Sequence, residues 1–336
     1  MRIGIAYDLA PGSRSDEGPD DRFEEFDKPE TVEAIAAVLR GEGHEVVLLG
    51  DGRSFLYKIL ENPVDLVWNQ AEGEGIGRCR ESRVPAVLEM LGIPCTGSDP
   101  LTLAAALDKP LAKRLVSHRV AVPGGSTFRE VDSQARIEAS LARGECGPPP
   151  WIVKPAFEGS SKGIRTNALV DTGETATGLV LALVRDYRQP ILVEEFIEGD
   201  EVTVGLIGNG ATLDIIGLMR VRPRSNNPRF IYSIEVKRDW DEQVEYETPI
   251  RLPGEQVGRI ELAAREAYEA LGCRDLARID FRVRDGIPYF LEANPLPGLA
   301  PDWSDLVILA KGYGISHSDL IKRVLHAALT RLGALR

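Results

Sequence analysis

The chain runs to 336 residues and carries 52 acidic against 40 basic side chains, a formal net charge of −12. That leaves room for two or three domains with sizeable cores and argues against a nucleic-acid partner, which requires a basic face. Hydrophobic, charged and aromatic contents of 43%, 27% and 6% are those of an ordinary globular protein, and no apolar run approaches the ~20 residues of a membrane span.

Cys79, Cys95, Cys146 and Cys273 are dispersed with no C-x-x-C, which indicates neither a zinc site nor a disulfide framework and fits a reducing compartment. The chain enters a strand at once, with no charged leader and apolar core, so a cytoplasmic location is expected. The four scattered histidines offer no metal site.

Residues 3–7 read as a buried strand. Asp27-x-x-Glu30 then opens a helix as a capping box, with Val32, Ile35, Ala36 and Leu39 at helical spacing. A second strand, Glu45 to Leu49, a helical stretch and a third strand, Val64 to Trp68, give the alternation of a parallel sheet. Between the first strand and its helix, Ser13 to Asp27 is rich in Asp and Glu, either a solvated loop or a lid over a site. Asn69 to Gly77 is a G-x-G-x-G turn at the C-terminal end of a parallel strand, where open α/β sheets bind ligands. It is not the dinucleotide fingerprint, and no G-x-x-x-x-G-K-[ST] phosphate loop occurs.

Helices follow at Val84 to Leu91 and Pro110 to Ser117, then a short strand after Gly125 and a helix from Ser133 to Arg143. A stiff Gly/Pro connector leads to the strand Trp151-Ile152-Val153-Lys154, which delivers a lysine. The loop behind it, Phe157 to Gly163, holds Ser160, Ser161, Lys162 and two glycines. It is suited to closing over a polyphosphate with N–H donors and an ammonium, and is otherwise a polar hairpin loop. Ile191 to Val204 reads as strand, connector, strand, with Glu194 and Glu201 flanking an apolar bend fit for a purine ring. Arg220, Arg222 and Arg224 share one side of a strand, as a solvated face or an anion contact, and Lys237 falls on the strand after it.

The segment Ala277 to Gly298 is the centre of the reading. Alternation puts Arg278 and Asp280 on one face of a strand and Ile279 and Phe281 on the other. Beyond a turn at Asp285-Gly286, Tyr289 and Leu291 fall on the apolar face of a second strand, and Phe290, Glu292 and Asn294 on the face beside Asp280. For the apolar faces to coincide the loop needs an odd number of residues with Gly286 in a bulge, not a two-residue Asp-Gly turn. Two carboxylates and an amide oxygen then form a hard-oxygen set that holds magnesium against phosphate. The alternative is a surface hairpin with its charges in water. An amphipathic helix, opened by Ser316 and Asp319, closes the chain as packing.

In order, the pieces are Thr96-Gly97-Ser98, Leu107-Asp108-Lys109, Val153-Lys154-Pro155 with Glu158-Gly159-Ser160-Ser161, and Val193-Glu194-Glu195 with Glu201. Arg278-Ile279-Asp280 and Glu292-Ala293-Asn294 with Pro297-Gly298 complete them. Together, across roughly residues 90 to 300, the chain resembles the ATP-grasp superfamily and, within it, the D-alanine–D-alanine ligase group. The resemblance implies an α/β (α+β) fold, a parallel-sheet domain over residues 1–105 followed by two sheet-and-helix lobes, 106–188 and 189–336, that clamp ATP. It implies an ATP-dependent carboxylate–amine ligase working through an acyl phosphate on small-molecule substrates, with Mg2+, or Mn2+ in its place, and a family habit of homodimers.

Carried over residue by residue, the resemblance gives ATP phosphates to Lys109, Lys154 and Lys237, with Ser160 and Ser161 in the closing loop. Adenine and ribose go to Glu194, the backbone of Glu195 and Ile197, and Glu201; the metal goes to Asp280, Glu292 and Asn294; the tetrahedral oxyanion goes to Arg278 and the Gly298 backbone. Three substrate contacts depart from the family pattern. Ala6 to Gly12 replaces Gly-Gly-x-Ser-x-Glu, Arg238 replaces a tyrosine, and Asp302-Trp303-Ser304 stands where a Ser-Leu pair is expected. The substrates are therefore expected to be amino acids or a small peptide that need not be D-alanine, and Arg238 with the Arg220, Arg222 and Arg224 face points to an extra anionic group on the substrate. The alternatives are a true D-alanine–D-alanine ligase of cell-wall synthesis and a non-catalytic nucleotide-binding protein. Against the latter stand the metal trio and Arg278, which binding alone does not need.

Overall fold

A computed structural model describes residues 1–11, 18–225, 227 and 229–334. The first unit contains β1 (Arg2–Tyr7), α1 (Pro29–Gly41), β2 (Glu45–Gly50), α2 (Gly52–Glu61) and β3 (Leu66–Gln70), its strands forming a parallel sheet in the order β2-β1-β3. The expected capping box does not form. Lys28 is the N-cap and makes no side-chain cap, and Pro29, with its preset φ and missing N–H, starts α1 instead.

Next come α3 (Arg83–Leu91), α4 (Pro100–Leu107) and α5 (Lys109–Val116). Asp99 and Asp108 cap the last two, accepting from Thr102 N at 2.9 Å and Leu111 N at 3.1 Å. The middle sheet, β4 (Gly125–Phe128), β5 (Trp151–Pro155), β6 (Leu169–Val170) and β7 (Ile191–Glu195), is antiparallel in the order β4-β7-β5-β6, with α6 (Gln134–Ala142) and α7 (Gly173–Tyr187) packed on it. Its pairing runs through Glu195, past the expected division at residue 188.

The last sheet is antiparallel in the order β10-β9-β8-β11-β12, from β8 (Asp200–Ile207), β9 (Asp214–Pro223), β10 (Val244–Glu247), β11 (Leu276–Arg284) and β12 (Ile287–Asn294). Two short helices, α8 (Ile234–Arg238) and α9 (Trp240–Gln243), precede β10, and α10 (Gly254–Leu271) packs with α5 over the buried faces of β8 and β11. Lys237 therefore lies on a helix, not a strand. Ser233 caps that helix, its hydroxyl accepting from Val236 N, and competes locally with strand pairing.

The closing elements α11 (Asp305–Gly312) and α12 (His317–Arg331) share one core with the first sheet, where Ile3, Leu66 and Trp68 pack with Leu306, Leu320 and Val324. This seats the C-terminal ends of β1 and β3 over the chain after β12. Gln70 Nε2 donates to the Pro297 carbonyl at 3.0 Å.

The β11–β12 hairpin corrects the expected loop. Asp285 and Gly286, at φ 52° and 73°, form the plain two-residue turn between paired Arg284 and Ile287. Parity is restored inside β12 instead, where pairing shifts from Asp280 opposite Glu292 to Phe281 opposite Phe290 and leaves Leu291 as the extra residue. Phe290 is thus fully buried edge-on against Phe281, while Leu291 turns toward the site. The apolar face carries Phe290 and not Leu291, because a bulge breaks the strict alternation on which the expectation rested.

Candidate nucleotide and ligation site

One cavity lies between the middle and last sheets. Its walls include Lys109 from α5, Lys154 from β5, Ser160 and Ser161 from the loop after it, and Glu194, Glu195, Ile197 and Glu201 from the β7–β8 bend. Lys237, Arg278, Asp280 and Glu292 complete the set of expected residues that it brings together. Asn294, opposite Arg278 in the hairpin register, and Gly298 lie beyond its edge.

The polar face of the hairpin is a network of alternating charge. Asp280 and Glu292 stand directly opposite one another. Lys109 Nζ is 3.0 Å from Glu292 Oε2, and Arg278 binds Asp280 at 2.9 Å and Asp305 at 3.0 Å. Thr203 Oγ1 donates to Asp280 Oδ1 at 2.8 Å. Burial alone would raise the Glu292 carboxyl, but Lys109, Lys154 and Arg278 outweigh it and hold it at about 2. Asp280 goes the other way, because its burial exceeds the pull of Arg278. Burial would also neutralise the Arg278 guanidinium, yet Asp280, Asp305 and Glu292 raise its pKa and keep it charged.

Deeper in the cavity, Glu194 is enclosed between Lys154 at 2.6 Å and Lys113 at 3.1 Å. Burial works against its charge, and the two ammoniums still hold its pKa below the ordinary value. Lys113 is pushed down to about 8 by its own burial, against the pull of Glu194. Sequence reasoning gave Lys113 no role, although its position four residues after Lys109 puts both on one helix face. Asp305 and Thr203 had no local signal at all. Glu201 is paired at 3.0 Å by Arg282, whose guanidinium also lies 4.6 Å over the Phe196 ring.

The loop after β5 holds Ser160 and Ser161 at positive φ, 47° and 58°, and Ser161 Oγ donates to the Tyr232 carbonyl at 2.9 Å. Residues 18–27 pack onto this loop, so this part of the acidic segment is not a freely solvated loop, though none of it lines the cavity; Ser13 to Glu17 lie outside the described residues. Glu25 accepts from Gly159 N at 2.6 Å, Lys162 Nζ at 2.8 Å and Arg80 NH2 at 2.8 Å. Asp21 accepts from Gly163 N at 2.9 Å and the Tyr187 hydroxyl at 2.7 Å. Lys162 is also paired with Glu158, so the loop's own lysine is engaged inside the protein. Arg238 is held by Glu24 at 2.8 Å and Asp20 at 3.1 Å, and Arg220 by Glu247 at 2.6 Å and Asp200 at 3.2 Å. These guanidiniums meet the chain's own carboxylates.

The family model described as the D-ala D-ala ligase C-terminus matches residues 128–326. The chain is 32% identical over 308 residues to a D-alanine–D-alanine ligase of Fervidobacterium nodosum, covering 89% of this chain and 93% of that one. It is 34% identical over 302 residues to the enzyme of Syntrophotalea carbinolica, covering 90% and 91%. In fold it is similar to a D-alanine–D-alanine ligase of Bacillus anthracis solved with ATP, at a TM-score of 0.76 and 22% identity over 99% of both chains. It is also similar to the VanG D-Ala:D-Ser ligase of Enterococcus faecalis, at 0.72 and 22% identity, covering 98% and 100%. The chain belongs to the D-alanine–D-alanine ligase family of the ATP-grasp fold and is an ATP-dependent carbon–nitrogen ligase.

Proposed function

We propose that this ligase joins the carboxylate of one amino acid or short peptide to the amine of another, in the cytoplasm, with MgATP as the activating substrate. The observation that carries the reading is the β11–β12 face, where opposed carboxylates, a buried guanidinium and the lysines of α5 and β5 meet in one cavity. The three-lobe division at 105 and 188 belongs to the same proposal, with β7 added to the middle lobe by its pairing.

A carboxylate is a poor electrophile. Its oxygen attacks the γ-phosphorus, the bond to the bridging β–γ oxygen breaks, and ADP leaves an acyl phosphate. The amine nitrogen then attacks the acyl carbon, its proton is lost, and inorganic phosphate departs from the tetrahedral oxyanion. Lys109, Lys154 and Lys237 would hold the phosphates, with Ser160 and Ser161 closing over them. Glu194, Glu201 and the backbone of Glu195 and Ile197 would hold the base and ribose. Arg278 and the Gly298 N–H would meet the oxyanion, and the grip of Asp280 and Asp305 preorganises the guanidinium for it.

Asp280, Glu292 and Asn294 fit a hard divalent cation. Asp280 and Glu292 stand opposite one another with Asn294 two residues beyond Glu292 on the same strand, and two carboxylates and an amide are hard-oxygen donors that leave coordination positions for phosphate oxygens. Mg2+, or Mn2+, bound there supplies neutralisation of phosphate charge.

The test is ADP release across amino acids and small peptides, with hydroxylamine to trap the acyl phosphate. ATP turnover without a trappable acyl group would reject the ligation chemistry. The names of the curated relatives favour a second reading, a true D-alanine–D-alanine ligase. Robust turnover with D-alanine alone would establish it over the first.

A further inference from the structure

Beyond Asp305, which lines the nucleotide cavity and holds Arg278, lies a cluster of aromatic rings that the ligation chemistry leaves without a task. The Tyr246 hydroxyl lies 3.5 Å from Asp305 Oδ1, on the carboxylate whose other oxygen holds Arg278. Trp240 lies 5.3 Å from the Tyr246 ring at 32°, and Trp303 meets Trp240 edge-on at 6.5 Å and 76°. The three rings come from β10, α9 and the turn before α11, and Trp303 remains 51% exposed.

Their position ties them to the reaction. Gln70, at the end of β3, binds the carbonyl of Pro297, next to Gly298, and the Asp27 N–H binds the carbonyl of Asp8, just after β1. Lys28 follows Asp27, and its ammonium stands over the Trp303 ring, 5.9 Å from the ring centre. Among the described residues Lys28 has no carboxylate partner. An indole half in water, beside two further rings, gains by being covered with an apolar group, and the Lys28 ammonium over it, with no carboxylate partner among the described residues, complements a carboxylate. A methyl side chain would leave most of that surface wet.

We propose that the amine-bearing substrate is an α-amino acid with a bulky apolar or aromatic side chain, which lies against Trp303 and Trp240 while Lys28 meets its carboxylate. The proposal rests on the ligase reading above. It makes Trp303 a determinant of which amine is accepted, through apolar contact that a smaller side chain cannot make.

The experiment is ADP release by the full chain from MgATP, with D- and L-alanine, leucine and phenylalanine offered singly and in pairs. For the amine partner, kcat/KM should be at least about 10-fold higher for leucine or phenylalanine than for alanine. Trp303→Ala should cut that ratio by about 10-fold, chiefly through KM, and Trp303→Phe should keep most of it. Lys28→Met should raise KM for the free amino acid but not for its carboxamide. If wild-type protein turns over alanine faster than both bulky partners, the proposal is overturned and the ligase reading stands. Equal losses for alanine and phenylalanine in Trp303→Ala, with a lowered melting temperature, would mark a packing role and overturn it too. If no pair releases ADP while calorimetry shows MgATP bound, the proposal is overturned, and the ligase reading is judged by the wider screen of amino acids and peptides.

Discussion

Lys154 Nζ lies 2.6 Å from Oε1 of Glu194, a carboxylate whose side chain is 1% exposed and whose other oxygen is taken by Lys113 at 3.1 Å. The arrangement is asymmetric. Removing Lys154 leaves Glu194 with one ammonium, whereas neutralising Glu194 leaves two buried ammoniums with no counter-charge between them. Lys154→Met should therefore fold and bind MgATP weakly with turnover lost. Glu194→Gln should cost about 3–5 kcal/mol of stability, the range for breaking a buried pair. Urea unfolding of the two variants, beside ADP release, checks both; equal stability losses would contradict the asymmetry.

Arg278 reaches Asp280 with Nε and NH2 and Asp305 with NH1, a fork that a lysine cannot copy. Arg278→Lys keeps the charge between the two carboxylates and should fold. Its kcat should drop by about 10²–10³, the usual loss for one oxyanion donor, with KM for ATP little changed. A rate near wild type would remove Arg278 from the oxyanion.

Asp27 is pushed up to about 7 by burial. A folded-state pKa above the unfolded one means that the folded protein holds a proton that the unfolded chain releases. The contribution is full below the ordinary value of 3.8 and is lost as pH rises toward 7. Asp27→Asn should flatten this part of the profile and gain on wild type by at most on the order of 1 kcal/mol per pH unit between those limits. Melting temperatures at pH 5 and pH 8 measure it, and a wild-type advantage that grows with pH would show the sign to be wrong.

Gly199 sits at φ 141°, and a Cβ there would lie 2.0 Å from the Val283 carbonyl oxygen, a backbone atom of β11 that cannot step aside. Its own carbonyl accepts from Arg282 NH2 at 3.0 Å, beside the Glu201 carboxylate. Gly199→Ala should destabilise by about 2–4 kcal/mol and weaken MgATP binding. Gly178, inside α7 with nothing within 4 Å of a Cβ, supplies the contrast. Gly178→Ala should stabilise by about 0.5–1 kcal/mol with no effect on binding.

The local signals in the sequence carried the alternating parallel unit, the lysine strand with its serine loop, the acidic bend and the carboxylate hairpin. Each depends on near neighbours, through period, capping or turn chemistry. What escaped them depends on distance along the chain. Asp305 meets Arg278 across 27 residues, and Glu25 meets Lys162 across 137, which no spacing rule reaches. The helix at Lys237 escaped because a lone serine cap decides it, and the arginines of β9 read as available because their partners Asp200 and Glu247 lie on other strands. Parity in the hairpin was misjudged for a different reason. A bulge has no composition of its own, and Phe-Leu-Glu reads as regular alternation until the partner strand is in place.

That one unpaired residue has a wider consequence. Because Leu291 is surplus to the ladder, the strand shows two consecutive side chains, an isobutyl group and the Glu292 carboxylate, to the same side, a mixed surface that an unbroken strand cannot display. Removing Leu291 would not shift any pair: Asp280 would still face Glu292, and Phe281 would still face Phe290. The greasy and the charged halves of this floor are therefore separable by a single deletion, and a lineage could exchange one without retuning the other.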